Sequence, residues 1–170
     1  MIQKNTKSLG FKALLVTQFL GAFNDNAFKL VVAFIAVDKF VTESGGGFFL
    51  ALTGILFTLP FLFFSSYAGY LADHFSKQKI IIWIKILEIA VMVLGLAALL
   101  SGNMWFIFLV LFFMATHSAF FSPSKYGILP EILSEEELSE GNGLIQMWTF
   151  AAIILGQACE IGRASCRERV

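Results

Sequence analysis

Apolar runs of bilayer length, joined by connectors too short to fold on their own, constrain this 170-residue chain more than any other feature. The runs cover about residues 11–37, 48–71, 80–100, 104–121 and 144–159. A helix needs about 20 apolar residues to cross a hydrocarbon core of about 30 Å, so each is long enough, or nearly so, to span once. The connectors are 38–47 with its Gly45-Gly46-Gly47 run, a polar loop over 69–79, the triplet Ser101-Gly102-Asn103, and the segment 122–143. None could hold a soluble domain.

Composition agrees. The chain is 58% hydrophobic, contains 20 Phe and is only 14% charged; soluble domains run at roughly 45–50% apolar and 25% charged. Its mean hydropathy is +0.79. Net charge is zero, and no basic stretch interleaved with aromatics marks a nucleic-acid face, so nucleic acid is excluded as a partner. Cys159 and Cys166 offer neither a disulfide framework nor metal-ligand spacing, and no cofactor or metal is expected. The apolar stretch after the polar first ten residues is too long and too interrupted for a cleaved signal peptide and reads as a retained first span. An amino terminus on the cytoplasmic side puts Lys4, Lys7, Lys12, Lys77, Lys79 and Lys125 inside or at the inner boundary and only Lys39 in an outer loop. The positive-inside rule selects that orientation.

Polar residues within the spans are the candidate site. Asn24, Asp25 and Asn26 fall about halfway along the first run, with Lys29 one turn later. A charged side chain at a helix centre costs about 2.5–3.5 kcal/mol on insertion scales, so such residues usually face a bundle interior or a watery path. Asp25 is therefore the first candidate for a substrate path; the bland alternative is an i,i+4 pair with Lys29. Asn24 and Asn26 lie about 100° either side of Asp25, so the three cannot share one stripe and at least one should pack against a neighbouring helix. Glu88, with Lys85 at i−3, reads as an internally compensated pair more readily than as a path residue. His117 could relay protons, its unperturbed pKa being about 6.5, or simply bond between helices. Gln18 and Gln146 read as interhelical hydrogen-bonding groups worth about 0.6 kcal/mol each.

Pro123 and Pro130 are expected to end the fourth span near Ser122. Beyond them, Ser134 and Glu137 have capping-box spacing and Leu133 and Leu138 have staple spacing, which predicts a short surface helix in an acidic segment. That segment is either a solvated linker or part of a gate.

The loop Gly69-Tyr70-Leu71-Ala72-Asp73-His74-Phe75-Ser76-Lys77-Gln78-Lys79 resembles the signature loop between the second and third helices of the major facilitator superfamily. In that reading Asp73 favours the positive end of another helix and could latch one transporter state, Lys77 and Lys79 stay cytoplasmic, and Gly69 permits close helix approach. Three further segments narrow the likeness. They are Phe19-Leu20-Gly21-Ala22-Phe23-Asn24-Asp25-Asn26, the stretch Phe121-Ser122-Pro123-Ser124-Lys125-Tyr126-Gly127-Ile128-Leu129-Pro130-Glu131, and Gly141-Asn142-Gly143-Leu144 followed by Ala151-Ala152-Ile153-Ile154-Leu155-Gly156. Together they resemble the lysophospholipid transporter branch, including the transporter part of acyltransferase fusions.

The resemblance implies an all-α membrane protein, with about five helices of a truncated amino-terminal half. It also implies residence in a bacterial inner membrane, alternating access, and inward flipping of lysophospholipids for reacylation by an acyltransferase domain or partner. Asp25 matches the family's acidic first-helix position, and Pro123, Lys125, Tyr126 and Gly127 match its cytoplasmic loop. A proton-coupled exporter of small molecules is the alternative. Enzymatic chemistry is not expected, because neither His74 nor His117 begins a His-x4-Asp pattern and no nucleophile elbow, P-loop or zinc cluster is present. The likeness stops near residue 159. Residues 160–170 place an arginine-rich string where apolar residues are required, and the string matches a translated sequencing adapter. The expectation is a transporter portion over 1–159 followed by a non-native tail; a native basic tail is the alternative.

Overall fold

A computed structural model describes the backbone of residues 6, 8–40 and 46–167 and the side chains of 6, 8–39 and 47–158. Lys4, Lys7, Gly45, Cys159, Cys166 and the side chains of the 160–170 tail lie outside the described residues. Six helices follow in order: α1 Leu9–Phe40, α2 Gly46–His74, α3 Lys77–Ser101, α4 Met104–Gly127, α5 Leu129–Ile132 and α6 Leu138–Arg167. Among the described residues there is no strand. Leu9–Lys39, Gly47–His74, Lys77–Ser101 and Met104–Gly127 are long and apolar enough to cross a membrane, and the chain is an all-α membrane protein. The fifth expected run, 144–159, lies within α6. α6 is described in full only to residue 158, and over those residues it does not join the other four.

The polar connectors are shorter than the sequence suggests. Gly46 and Gly47 already belong to α2. The signature segment is mostly helical, with only Phe75 and Ser76 between α2 and α3. The third connector is built by local chemistry. Gly102 takes a left-handed φ of 64° and its N–H donates to the Leu99 carbonyl, closing α3. Asn103 Oδ1 then accepts from the N–H groups of Trp105 and Phe106 at 3.0 and 3.3 Å, opening α4 as an N-cap.

Two expectations about the fourth connector are corrected. The helix does not stop near Ser122: α4 carries Pro123 inside it and continues to Gly127, as membrane helices tolerate where neighbouring groups satisfy the freed carbonyl. Nor does a short surface helix follow Ser134. The Ser134 hydroxyl donates to Glu137 Oε2 at 3.1 Å, and the next helix begins at Leu138 as the long α6. Glu137 Oε1 instead accepts from Thr6, from its hydroxyl at 3.3 Å and its N–H at 3.5 Å.

The chain divides into two compact units, one of Met1–Leu30 with Tyr126–Val170 and one of Val31–Lys125. In the first, Phe11, Leu14, Phe28, Leu129, Leu133, Ile145 and Ala152 are buried. α6 approaches α1 at Gly156, where a Cβ would stand 2.9 Å from the Phe23 carbonyl oxygen; only a glycine lets the backbones come that close. In the second unit α4 is buried on most of its circumference, with Ile107, Val110, Leu111, Met114 and Ala115 at 1% exposure or less. α3 contrasts with it, burying only Ile84, Glu88, Gly95 and Ala98. Those positions recur every three, four or seven residues and form one narrow stripe. Much of the rest of α3, including Trp83, Ile86, Leu87, Ile89 and Val93, is exposed, as a lipid-facing surface would be.

Candidate functional site

α1 runs unbroken through the polar cluster of the first span. Phe11, Leu14, Gln18, Gly21, Asp25 and Phe28 are all buried, and their spacing of alternating threes and fours places them on one stripe of the helix. Asp25, 8% exposed, thus takes a position that the pattern otherwise reserves for apolar side chains. Its neighbours do not share the stripe. Asn24 and Asn26 are half-buried, and the Asn26 amide donates to the Ala22 carbonyl of its own helix at 2.8 Å. Asn26 faces α6, its Cβ lying 3.7 Å from where a Gly156 Cβ would stand, so one of the two asparagines packs against a neighbouring helix as expected. Lys29 is half-buried.

Two further hydrogen bonds in this unit join helices. Gln18, about two turns before Asp25 on the same buried stripe, donates to the Thr149 hydroxyl of α6 at 2.8 Å, and Thr149 in turn donates to the Ile145 carbonyl. Gln146 donates to the Tyr126 hydroxyl at 2.6 Å. The second bond links a residue expected on the substrate path with one expected in a cytoplasmic loop. Tyr126 is not in a loop: Pro123, Lys125, Tyr126 and Gly127 form the last turn of α4.

In the second unit an ionisable cluster bridges α3 and α4. Lys85 Nζ lies 2.6 Å from Glu88 Oε2, the compensated pair expected from their spacing. Glu88 also faces His117, whose Nε2 lies 3.9 Å from the same oxygen. That is close enough for electrostatic attraction when the ring is protonated but too long for a hydrogen bond. The other ring nitrogen, Nδ1, lies 3.4 Å from the Phe113 carbonyl. Lys85 additionally sits 4.2 Å above the centre of the Phe121 ring, a cation–π arrangement one turn along α4 from His117. Ser124 and Lys125 are buried on the following turn. A carboxylate held between an ammonium and an imidazole can redistribute its contacts when a proton or a charged group arrives.

The signature residues stand apart from that cluster. Lys79 precedes Glu88 by nine residues of α3, about 14 Å of helix rise. Asp73 and Lys79 are exposed and Lys77 is half-buried. A Cβ at Gly69 would meet no atom within 4 Å, so among the described residues the close helix approach expected there is not made; one is made at Gly156. Sequence reasoning also missed that Glu88 and His117 face each other and that Thr149 receives Gln18. The seven-residue spacing of Gln18 and Asp25 was the available signal for their shared stripe.

Comparison with known proteins places this geometry in a family. The model of the Major Facilitator Superfamily matches residues 14–159. Among curated proteins the chain is similar to the lysophospholipid transporter LplT of Escherichia fergusonii, with 32% identity over 149 residues, 88% of this chain and 35% of that protein. LplT of Escherichia coli and of Shigella boydii match with the same identity and coverage. The chain therefore spans about a third of the length of these relatives. No solved structure matches. Long helices joined by minimal turns, the signature segment between α2 and α3, and the family match over most of the chain lead to one conclusion: this chain belongs to the Major Facilitator Superfamily.

Proposed function

We propose that the protein to which this chain contributes moves lysophospholipids across a bacterial inner membrane by alternating access, with its amino terminus in the cytoplasm. The observation that carries this reading is the similarity to relatives named as lysophospholipid transporters. The buried carboxylate of Asp25 supports it, because charge within a span usually marks a transport path. The lipid's polar head passes beside Asp25, while its acyl chain stays in apolar surroundings. Asn24, Lys29, Glu88, His117 and Gln146 contribute further polar groups to the path, and Asn26 positions α1 against α6. Asp73, Lys77 and Lys79 at the α2–α3 turn, with Gly69 on α2, act in switching between states. The last turn of α4, with Pro123, Lys125, Tyr126 and Gly127, anchors the cytoplasmic end. The imported lysolipid is then reacylated by an acyltransferase, fused or separate.

The test is uptake of labelled lysophosphatidylethanolamine by cells that lack their own importer and express the full-length gene, with and without Asp25→Asn. Uptake that falls tenfold or more at equal membrane abundance is the expected result. Uptake unchanged by Asp25→Asn removes that residue from the path, and small-molecule efflux without lysolipid uptake replaces this reading with the exporter.

A further inference from the structure

In the first unit, Lys12, Leu15, Val16, Phe19 and Leu20 of α1 line a groove of about 340 Å³, closed on one side by Trp148 of α6. The five α1 positions follow the i, i+3, i+4, i+7, i+8 register, so they form one continuous face. The face extends over about 12 Å of helix axis. Its wall is apolar apart from a single cation at one end. The Phe19 and Trp148 rings meet edge to face at 5.6 Å between centroids, fixing the far wall. Lys12 is exposed, and no side chain among the described residues is paired with its ammonium. It lies in the first turn of the span, where long basic side chains reach headgroup level.

We propose that this groove is a lysophospholipid subsite, with the lipid phosphate on Lys12 and the single acyl chain lying along Leu15, Val16, Phe19 and Leu20 against Trp148. Charge complementarity selects a phosphate-bearing lipid: among the described residues the one ionic group lining the groove is positive, and it stands at the end from which the apolar trough begins. The volume has room for one chain. Ligand pockets run from about 300 to 1,000 Å³ with mostly apolar walls and a few placed polar groups, and this groove lies at the lower limit. Trp148 suits the position, since an indole combines a large apolar face with an N–H that tolerates the interface. The groove is separate from Asp25, which lies on the buried stripe of α1 whereas Val16 and Leu20 are 59% and 58% exposed. The assignment rests on the lysophospholipid reading above and adds to it a docking position at the membrane surface.

Trp148 is a built-in reporter. The experiment uses the full-length protein in nanodiscs of neutral diacyl lipid, with every other tryptophan replaced by Phe, which keeps an aromatic ring at Trp83 and Trp105, 66% and 70% exposed in this chain. Lysophosphatidylethanolamine brominated on its acyl chain is titrated in, and quenching of Trp148 is followed. The expected result is saturable quenching whose half-saturation rises about fivefold in Lys12→Gln, the effect of one basic residue near a lipid surface. A brominated monoacylglycerol, which lacks the phosphate, should be indifferent to Lys12→Gln. Equal quenching by brominated diacyl lipid would make the groove an ordinary lipid-facing surface, and absence of quenching would mean that another part of the protein covers it. Either overturns the proposal. Lysolipid uptake in cells separates the two readings: uptake without Trp148 quenching defeats the groove alone, whereas saturable quenching without uptake leaves the groove and defeats the transport reading.

Discussion

The helix pair α1 and α6 and the helix pair α3 and α4 solve the same problem, polar groups within apolar spans, by different means. α1 and α6 meet through a neutral bond from Gln18 to Thr149 and through a glycine, Gly156, that brings backbones into contact. α3 and α4 meet through charge, with Glu88 between Lys85 and His117 and with Lys85 over Phe121. Neutral bonds between helices contribute little each and leave little penalty when lost. Ionised groups are costly to place and costlier to strand, so each one fixes its partners. The first arrangement glues two helices together through neutral groups, and the second holds them through ionisable groups whose contacts depend on one another.

That contrast can be broken most sharply at Glu88. Glu88→Ala leaves the Lys85 ammonium within a span without its carboxylate and is expected to destabilise the full-length protein by about 3 kcal/mol. Adding Lys85→Ala should restore more than half of the loss. Thermal unfolding in detergent with the full double-mutant cycle measures both, and additive losses would show that the pair is not coupled. Gly156→Ala comes next, at about 1–3 kcal/mol, because its new methyl meets a backbone oxygen at 2.9 Å that cannot rotate away. Gly141→Ala is the matched control. The nearest atom there is Leu133 Cδ1, the end of a flexible side chain, so the loss should be the smaller of the two. The least effect belongs to Gln18→Leu, about 0.6 kcal/mol in the same assay. A loss above 2 kcal/mol would mean that the Gln18–Thr149 bond does more than hold two helices.

The legible part of the fold was the part written in short-range pattern. The number and order of the apolar runs, the Lys85–Glu88 pair at i,i+3 and the separation of Asn26 from Asp25 around the wheel all follow from helix geometry within one segment. Helix ends were read less well. Pro123 stands inside α4 and the acidic segment feeds straight into α6, because proline and capping signals weigh on an isolated helix in water, whereas a membrane helix continues wherever its carbonyls find partners. Gly69 and Gly156 show the same limit. Both are glycines in apolar helices, and only one meets a neighbouring backbone.

The sequence by itself determined that this is a membrane protein of long helices, that its polar loop is the signature of a transporter superfamily, and that a carboxylate lies in the middle of the first span. Bilayer thickness and the cost of burying charge are enough for the first and the last of these; the signature was legible by resemblance alone, and the family match over residues 14–159 bears it out. Only the tertiary structure decided that Glu88 faces His117, that Gln18 reaches Thr149, that Gly156 is where helices touch, and that Lys12, Phe19 and Trp148 frame a groove. These are contacts between segments distant in the chain. Hydropathy and periodicity fix which face of a helix is turned inward but not which residue of another helix it meets.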